Sequence, residues 1–176
     1  MVLNDLALGL TLSIATWTDW KQRKIYNKLL GPAYLIALIL QLWQKGWQGV
    51  WVGLLGSLVG LLLLLIPYLL GGMGAGDVKL LAVIGAFSGV VFVLTSFIYG
   101  ALLGGLVSLV ILLRRHALKA TLKHVFLLLP IFKKLQDLSE ALRATREEKF
   151  PYGVVLVIGT ILAWFLPLAW FLPLGW

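Results

Sequence analysis

The chain of 176 residues contains no cysteine, only two histidines and only seven acidic residues. Without cysteine there is no disulfide, no thiol nucleophile and no thiolate metal site. Charged residues make up only 12% of the chain, whereas hydrophobic residues make up 61% and the mean hydropathy is +0.99. This composition excludes an ordinary soluble domain and predicts a protein of the lipid bilayer.

The scarce groups also exclude two kinds of hydrolase. The two histidines, His116 and His124, lie in a charged stretch, and the chain has no His-Glu-x-x-His pattern for zinc. A rhomboid-type serine site needs Gly-x-Ser-Gly, but Ser88 follows Ala86 and Phe87. We therefore predict no metal and no cofactor. The formal net charge of +8 fits membrane orientation, so we expect no nucleic-acid partner either.

Long uncharged stretches predict an all-α polytopic membrane protein. The stretch 80–113 carries no charge, and as one helix it would be about 51 Å long against roughly 30 Å of hydrocarbon. Ser88-Gly89 is its best turn signal, which makes the fourth helix short. The chain then has six predicted transmembrane helices, near residues 2–18, 29–44, 49–70, 78–88, 90–113 and 152–173.

The basic residues predict how these helices are oriented. Of the 15 lysines and arginines, 14 fall in alternate loops of the six-helix topology. The positive-inside rule places those loops in the cytoplasm and both termini outside. The longest of them is a charged connection at about 114–150, whose apolar run 125–132 suits the membrane surface. We treat residues 1–176 as one domain embedded in the cytoplasmic membrane.

Glycines at four-residue spacing allow helices to approach closely in lipid. We expect them to pack helices within one chain rather than to form a dimer, and the oligomeric state stays open. The pairs are Gly56 with Gly60, Gly85 with Gly89, and Gly100 with Gly104.

Only two carboxylates meet at one predicted membrane face. Four of the seven acidic residues lie in the charged connection, where solvation explains them. Asp5 is about 21 Å from Asp19 along a helix and belongs at the opposite face. Asp19 and Asp77 both lie at predicted inner boundaries, where a carboxylate pair is a candidate site. The simpler alternative is a pair of interfacial charges neutralised by Lys21 or Lys79.

The sequence before Asp77 suits a peptidase. Four glycines, at positions 71, 72, 74 and 76, precede it within six residues and permit close approach of an extended backbone. Two neighbouring carboxylates do not both ionise easily, so they share a proton. The ionised member then takes a proton from water and the other donates to the scissile carbonyl. Which aspartate is the base stays open, because the pair titrates as a unit.

These motifs carry a family resemblance. Asp19 followed by Ile25-Tyr26-Asn27 resembles the first signature of type IV prepilin peptidases, and Gly74-Ala75-Gly76-Asp77-Val78-Lys79 resembles their second, GxGD. Pro151-Tyr152-Gly153 is similar to the motif that opens their last helix. These GxGD membrane aspartic peptidases include the archaeal preflagellin peptidases. Tyr26 departs from the proline that is usual in the family.

The resemblance implies a catalytic pair, Asp19 and Asp77, that faces the cytoplasm. It also suggests that Gly74, Gly76, Lys79 and Asn27 bind substrate or support the site. The implied substrates are type IV prepilin or pilin-like precursors, cut between a short basic leader and a hydrophobic segment. Since the resemblance is to the compact form, without the amino-terminal methylation-linked region, we expect no methyltransferase activity.

Other readings remain open at this point. Presenilin-like enzymes also use GxGD, but they pair it with Tyr-Asp and a later Pro-Ala-Leu, whereas this chain has Thr18-Asp19 and no such triplet. Two membrane carboxylates also suit a small ion- or proton-coupled transporter. A non-catalytic assembly factor for a pilus or secretion system is the third alternative.

Overall fold

The computed structural model describes residues 2–22, 25–69, 73–114 and 152–166. All regular secondary structure in these ranges is helical, which confirms the predicted all-α class. The helices are α1 (Val2–Gln22), α2 (Asn27–Leu69), α3 (Ala75–Ser88), α4 (Val90–Arg114) and α5 (Tyr152–Phe165).

Helix α2 is folded back on itself at Gly46. The backbone there has φ 61° and ψ −150°, a conformation that essentially only glycine adopts. The hydroxyls of Tyr34 and Ser57 lie 3.2 Å apart across the two arms, whereas a straight helix would separate these residues by about 34 Å. The arms, residues 27–45 and 47–69, correspond to the predicted second and third helices. The expected loop between them is reduced to a tight turn.

The predicted break after Ser88 is confirmed. Gly89 has φ 82°, in the left-handed region that favours glycine, and its N–H donates to the Gly85 carbonyl at 2.7 Å. Helix α4 begins directly afterwards, at Val90. Helix α3 starts at Ala75, one turn before the predicted residue 78, and its 14 residues make it about 21 Å long.

Helix α3 is the centre of the bundle. Ten of its 14 residues are buried, and Leu80, Leu81 and Ile84 are wholly enclosed. A helix that is apolar all round is stable where neighbours cover every face. The arms of α2, together with α1, α4 and α5, provide that cover, so the start of α3 is held in the middle of one end of the bundle.

The glycine pairs bring these helices into backbone contact. A Cβ added at Gly56 would lie 2.2 Å from the Gly85 carbonyl oxygen, and one added at Gly60 would lie 2.6 Å from that of Leu81. Between α4 and α5, a Cβ at Gly159 would lie 2.5 Å from the Gly100 nitrogen. The expected packing of small residues within one chain is confirmed.

The outer faces of α2 and α4 carry large apolar side chains, among them Leu35, Ile39, Leu102 and Leu106, which are all exposed. These two helices are long and apolar enough to cross a membrane. Six spans and external termini stay predictions. The charged connection beyond residue 114 and the predicted last helix beyond residue 166 lie outside the described residues.

Amide side chains complete the other end of α3. Gln41 Nε2 donates to the Phe87 carbonyl at 2.7 Å, and Asn4 Nδ2 donates to the same oxygen at 3.4 Å. Gln44 Nε2 in turn donates to Asn4 Oδ1 at 3.0 Å. The last carbonyls of a helix lack intrahelical partners, which is costly away from water. We call Asn4, Gln41, Gln44 and the Phe87 carbonyl the amide end.

Candidate active site

Asp19 lies in the last turn of α1 and is 5% exposed. Its Oδ2 accepts the Val154 N–H at 3.3 Å. Val154 is in the first turn of α5, where N–H groups have no intrahelical acceptor and the helix dipole favours negative charge. A Cβ added at Gly153 would lie 2.7 Å from the same carboxylate oxygen. The start of α5 is thus built closely around Asp19.

Asp77 occupies the first turn of α3 in a matching way. The residue is 8% exposed, and its Oδ2 accepts the Gly74 N–H at 3.1 Å. The Asp77 N–H donates back to the Gly74 carbonyl at 3.2 Å, so the two residues bind each other reciprocally. A Cβ at Gly74 would lie 3.1 Å from Oδ2. The first glycine of the GxGD motif therefore touches the carboxylate itself.

Ile25 joins the two aspartate segments. A Cβ at Gly76 would lie 3.0 Å from the Ile25 Cβ, and one at Gly153 would lie 2.9 Å from the Ile25 Cδ1. Ile25 therefore packs between the residue before Asp77 and the residue that contacts Asp19. We call Asp19, Ile25, Asp77 and Gly153 the carboxylate end.

Neither Ile25 nor Gly153 is among the site residues predicted from the sequence, although both lie inside the motifs that carry the resemblance. A glycine at the start of a helix was the available signal for Gly153, because glycine there permits close approach. Ile25 gave no such signal, since a single aliphatic residue after a helix is ordinary.

Two of the predicted support residues are brought together. Lys79 Nζ donates to Asn27 Oδ1 at 2.9 Å, which joins the second turn of α3 to the first residue of α2. Both side chains are exposed at the same end of the bundle as the aspartates. Gly76 supports the site by admitting Ile25. A role of Gly74, Gly76, Lys79 or Asn27 in binding substrate stays a prediction.

The two lysines of the simpler alternative have partners other than a carboxylate. Lys21 Nζ lies 4.6 Å from the centre of the Trp17 ring, a cation–π contact. Lys79 donates to the Asn27 amide oxygen. Neutralisation of the aspartates by these lysines therefore has no contact in its favour in this part of the chain.

The turn before α2 shows how the chain departs from the family pattern. The Tyr26 carbonyl accepts the N–H groups of Leu29 and Leu30 at 3.0 and 3.3 Å, and the Tyr26 hydroxyl donates to Gln22 Oε1. These hydrogen bonds hold the turn where the family usually has proline, so Ile25 keeps a defined place between Gly76 and Gly153.

Within the described ranges, no three His, Cys, Asp or Glu side chains are grouped closely enough to hold a metal ion. The remaining acidic residue there, Asp5, is exposed in the first turn of α1, away from the carboxylate end. The reactive groups of this end are two buried carboxylates, each oriented by a backbone N–H group. Such groups suit proton transfer.

A family model for the type IV leader peptidase family matches residues 6–109, which is more than half of the chain and includes both Asp19 and Asp77. No curated protein and no solved structure matches the chain. The family expected from the two signature motifs is confirmed by this match. Together with its long apolar helices, the match makes the protein a membrane peptidase by family. The chain belongs to the type IV leader peptidase family.

Proposed function

We propose that the chain is a membrane aspartic endopeptidase with Asp19 and Asp77 as its catalytic pair. In this proposal it removes the short basic leader from type IV prepilin-like precursors at the cytoplasmic face of the membrane. The reaction is peptide hydrolysis alone, without methyl transfer to the new amino terminus. The family match supports a leader peptidase, and the carboxylate end supports the chemistry.

One observation carries the mechanism. Each aspartate accepts an N–H group at the start of a helix, Asp19 from Val154 and Asp77 from Gly74. An asparagine oxygen accepts the same N–H groups without the cost of burying a charge. These hydrogen bonds therefore call for an acceptor at each position but not for an acid. An acid that they do not require, buried at membrane level, is a candidate for chemistry.

The reaction needs one proton on the pair. The ionised carboxylate removes a proton from a water molecule as the water oxygen bonds to the scissile carbonyl carbon, and the protonated carboxylate gives its proton to the carbonyl oxygen. The tetrahedral intermediate then collapses: the carboxyl group that took the proton from water gives it to the leaving nitrogen as the C–N bond breaks, and one hydroxyl of the intermediate gives its proton to the other carboxylate as the carbonyl re-forms. After both steps the pair again holds a single proton.

The glycines before Asp77 suit an extended substrate. Gly74 is itself extended, with φ −81° and ψ 149°. Backbone without side chains beside a carboxylate leaves space for another chain. Peptide bonds in a helix are shielded by their own hydrogen bonds, so a precursor must be locally extended at the bond to be cut.

The test is cleavage of a type IV prepilin-like precursor by the detergent-purified chain. We expect Asp19→Asn and Asp77→Asn each to lower kcat by at least about 10³-fold, as loss of a member of a catalytic unit does, with little change in the melting temperature. The matched control is Asp5→Asn, the same change at the other end of α1, which should cleave like the wild type.

Cleavage that survives either active-site substitution removes that aspartate from the pair. If the wild type cuts no precursor but carries ion flux in vesicles, and the substitutions stop the flux, a transporter replaces the peptidase. If precursor assembly depends on the chain and tolerates both substitutions, the chain is a scaffold.

A further inference from the structure

An apolar groove runs along the outside of the bundle between α1 and α5, with a volume of about 460 Å³. Gly9 and Trp164 lie at one end, and Trp20 and Val154 at the other. On α1 the distance from Gly9 to Trp20 is about 16 Å, or roughly ten residues of a helix lying alongside. We call this the lateral groove.

One end of the lateral groove lies beside the residues that hold one of the two carboxylates. Val154 lines it, and the N–H group of the same residue donates to Asp19 Oδ2 at 3.3 Å. Trp20, the next residue after Asp19, lines the same end. A chain lying in the groove is thereby directed to the Asp19 carboxylate.

The lining suits an apolar helix. On α1 it is formed by small residues, Gly9, Ser13 and Thr16, which recur at helical spacing and allow a second helix to come close. The Ser13 hydroxyl donates to the Gly9 carbonyl, and the Thr16 hydroxyl to that of Leu12, both at 2.8 Å. These hydroxyls are satisfied inside α1, so the groove presents an apolar surface.

Two other grooves lie in the described part of the chain. The one between the arms of α2 and α3 is lined by Asn27 and Lys79, which place an amide and a cation at its mouth. The one beside α4 is mostly apolar, and glycines and Ser108 of α4 line it. Of the three, the lateral groove is the one whose lining includes Val154, the donor to Asp19 Oδ2.

From these observations we infer that the lateral groove binds the hydrophobic segment of the precursor as a helix, on the mature side of the bond that is cut. A basic leader does not suit this lining, because its charges would lose hydration without gaining a partner. The inference rests on the proposed peptidase function and adds to it the surface that selects precursors with a hydrophobic segment. The competing occupant is a lipid chain.

The first experiment fills each groove separately. Gly9→Leu fills the lateral groove, and the Cβ would contact only the Trp164 ring, at 3.7 Å. The matched controls are Gly31→Leu and Gly105→Leu, which fill the other two grooves at positions where a Cβ meets no atom of the described residues within 4 Å. All three replace a helical glycine by the same residue, so they share any gain in helix propensity.

We expect Gly9→Leu to raise KM for a full precursor at least about tenfold, a loss of about 1.4 kcal/mol of binding, with kcat retained. Both controls should resemble the wild type. A peptide that carries the leader and the scissile bond but no hydrophobic segment should be cut equally by all four proteins. If the wild type is active and KM is unchanged in Gly9→Leu, the precursor does not bind in the lateral groove. The proposed peptidase function would then still hold.

Cross-linking decides the matter independently of turnover. Because the chain has no cysteine, Ser13→Cys introduces a single thiol in the lateral groove, and Ser108→Cys or Gly31→Cys introduces one in another. In an Asp77→Asn background, a precursor with one cysteine in its hydrophobic segment should cross-link at position 13 and at neither control. Cross-linking at a control position, or at none, overturns the inference. A wild type that cuts no precursor removes the peptidase function itself.

Discussion

At the amide end, Gln41 and Asn4 donate to the carbonyls with which α3 finishes, whereas at the carboxylate end Asp19 and Asp77 accept the N–H groups with which α5 and α3 begin. Both ends obey one rule, since helix ends leave N–H or carbonyl groups to be satisfied by side chains. The amide end does this with neutral groups. The carboxylate end does it with acids, which cost more to bury.

The difference separates a structural polar cluster from a candidate site. Neutral amides satisfy the Phe87 carbonyl at the amide end, although Gln41 Oε1 is buried there with no hydrogen-bond partner among the described residues. At the carboxylate end an asparagine would accept the same N–H groups, so these hydrogen bonds do not explain the charge. We expect substitutions at the amide end to lower stability and leave the turnover of folded protein unchanged, and substitutions at the carboxylate end to do the reverse.

After substitution of the aspartates themselves, the largest effect is expected for Gly153→Ala. The added Cβ would lie 2.7 Å from Asp19 Oδ2 and 2.9 Å from the Ile25 Cδ1, so the carboxylate has to move while the backbone stays. A displacement of about 1 Å in a catalytic group can cost about 10²-fold in rate, and we expect kcat to fall by that much with little change in melting temperature. Gly105→Ala is the control, because in the part of the chain that the structure describes a Cβ there meets nothing within 4 Å. Wild-type kcat in Gly153→Ala would contradict this close fit.

Gln41→Leu should have the opposite signature. The substitution removes the donor to the Phe87 carbonyl and leaves a buried acceptor underpaired, at a cost of roughly 1–3 kcal/mol in the free energy of unfolding. We expect a lower melting temperature in detergent and an unchanged kcat for folded protein. Gln48→Leu serves as control, since Gln48 is exposed just beyond the Gly46 turn. If kcat fell while stability stayed unchanged, the amide end would contribute to turnover. The distinction between a structural end and a catalytic end would then be wrong.

The smallest effect concerns the exposed pair at the carboxylate end. Lys79→Met and Asn27→Ala each remove the 2.9 Å hydrogen bond between these side chains, and exposed contacts of this kind contribute less than about 1 kcal/mol. The double variant should lose no more stability than the more affected single one, because both remove one interaction. Additive losses would mean that each residue acts separately. Lys28→Met, at an exposed neighbour, controls for the loss of charge.

Particular residues show how far the sequence could predict the fold. Ser88-Gly89 marked a turn because a 34-residue apolar helix does not fit the bilayer, and the structure ends α3 there. The glycines at four-residue spacing predicted close packing correctly, since only small residues allow it. The turn at Gly46 was placed near the right residue but drawn as a loop. A single glycine within a polar segment does not by itself indicate that the chain reverses direction sharply at that residue.

The candidate site divides in the same way. Asp19 and Asp77 were identified as the pair at one membrane face, by elimination among seven acidic residues and by their motifs. The hydrogen bond from Val154 to Asp19 joins residues 135 positions apart, and Gly153 contacts the same carboxylate. No local sequence pattern indicates a contact between such distant residues. Likewise, no sequence signal linked Asn4 and Gln41 to the end of α3, because the sequence does not show which group an amide in an apolar helix will bind.

The sequence by itself determined that this is an all-helical protein of apolar composition, in the type IV leader peptidase family, with two aspartates set apart from the rest. Hydrophobicity, helix length and short motifs are local properties, so they can be recognised in a single sequence. Only the tertiary structure decided that each carboxylate accepts an N–H group from the start of a helix and that Ile25 joins the two aspartate segments. It also decided that a groove between α1 and α5 reaches Val154, the donor to Asp19. These are contacts between distant segments, and they arise only when α3 is enclosed and its neighbours are brought together around it.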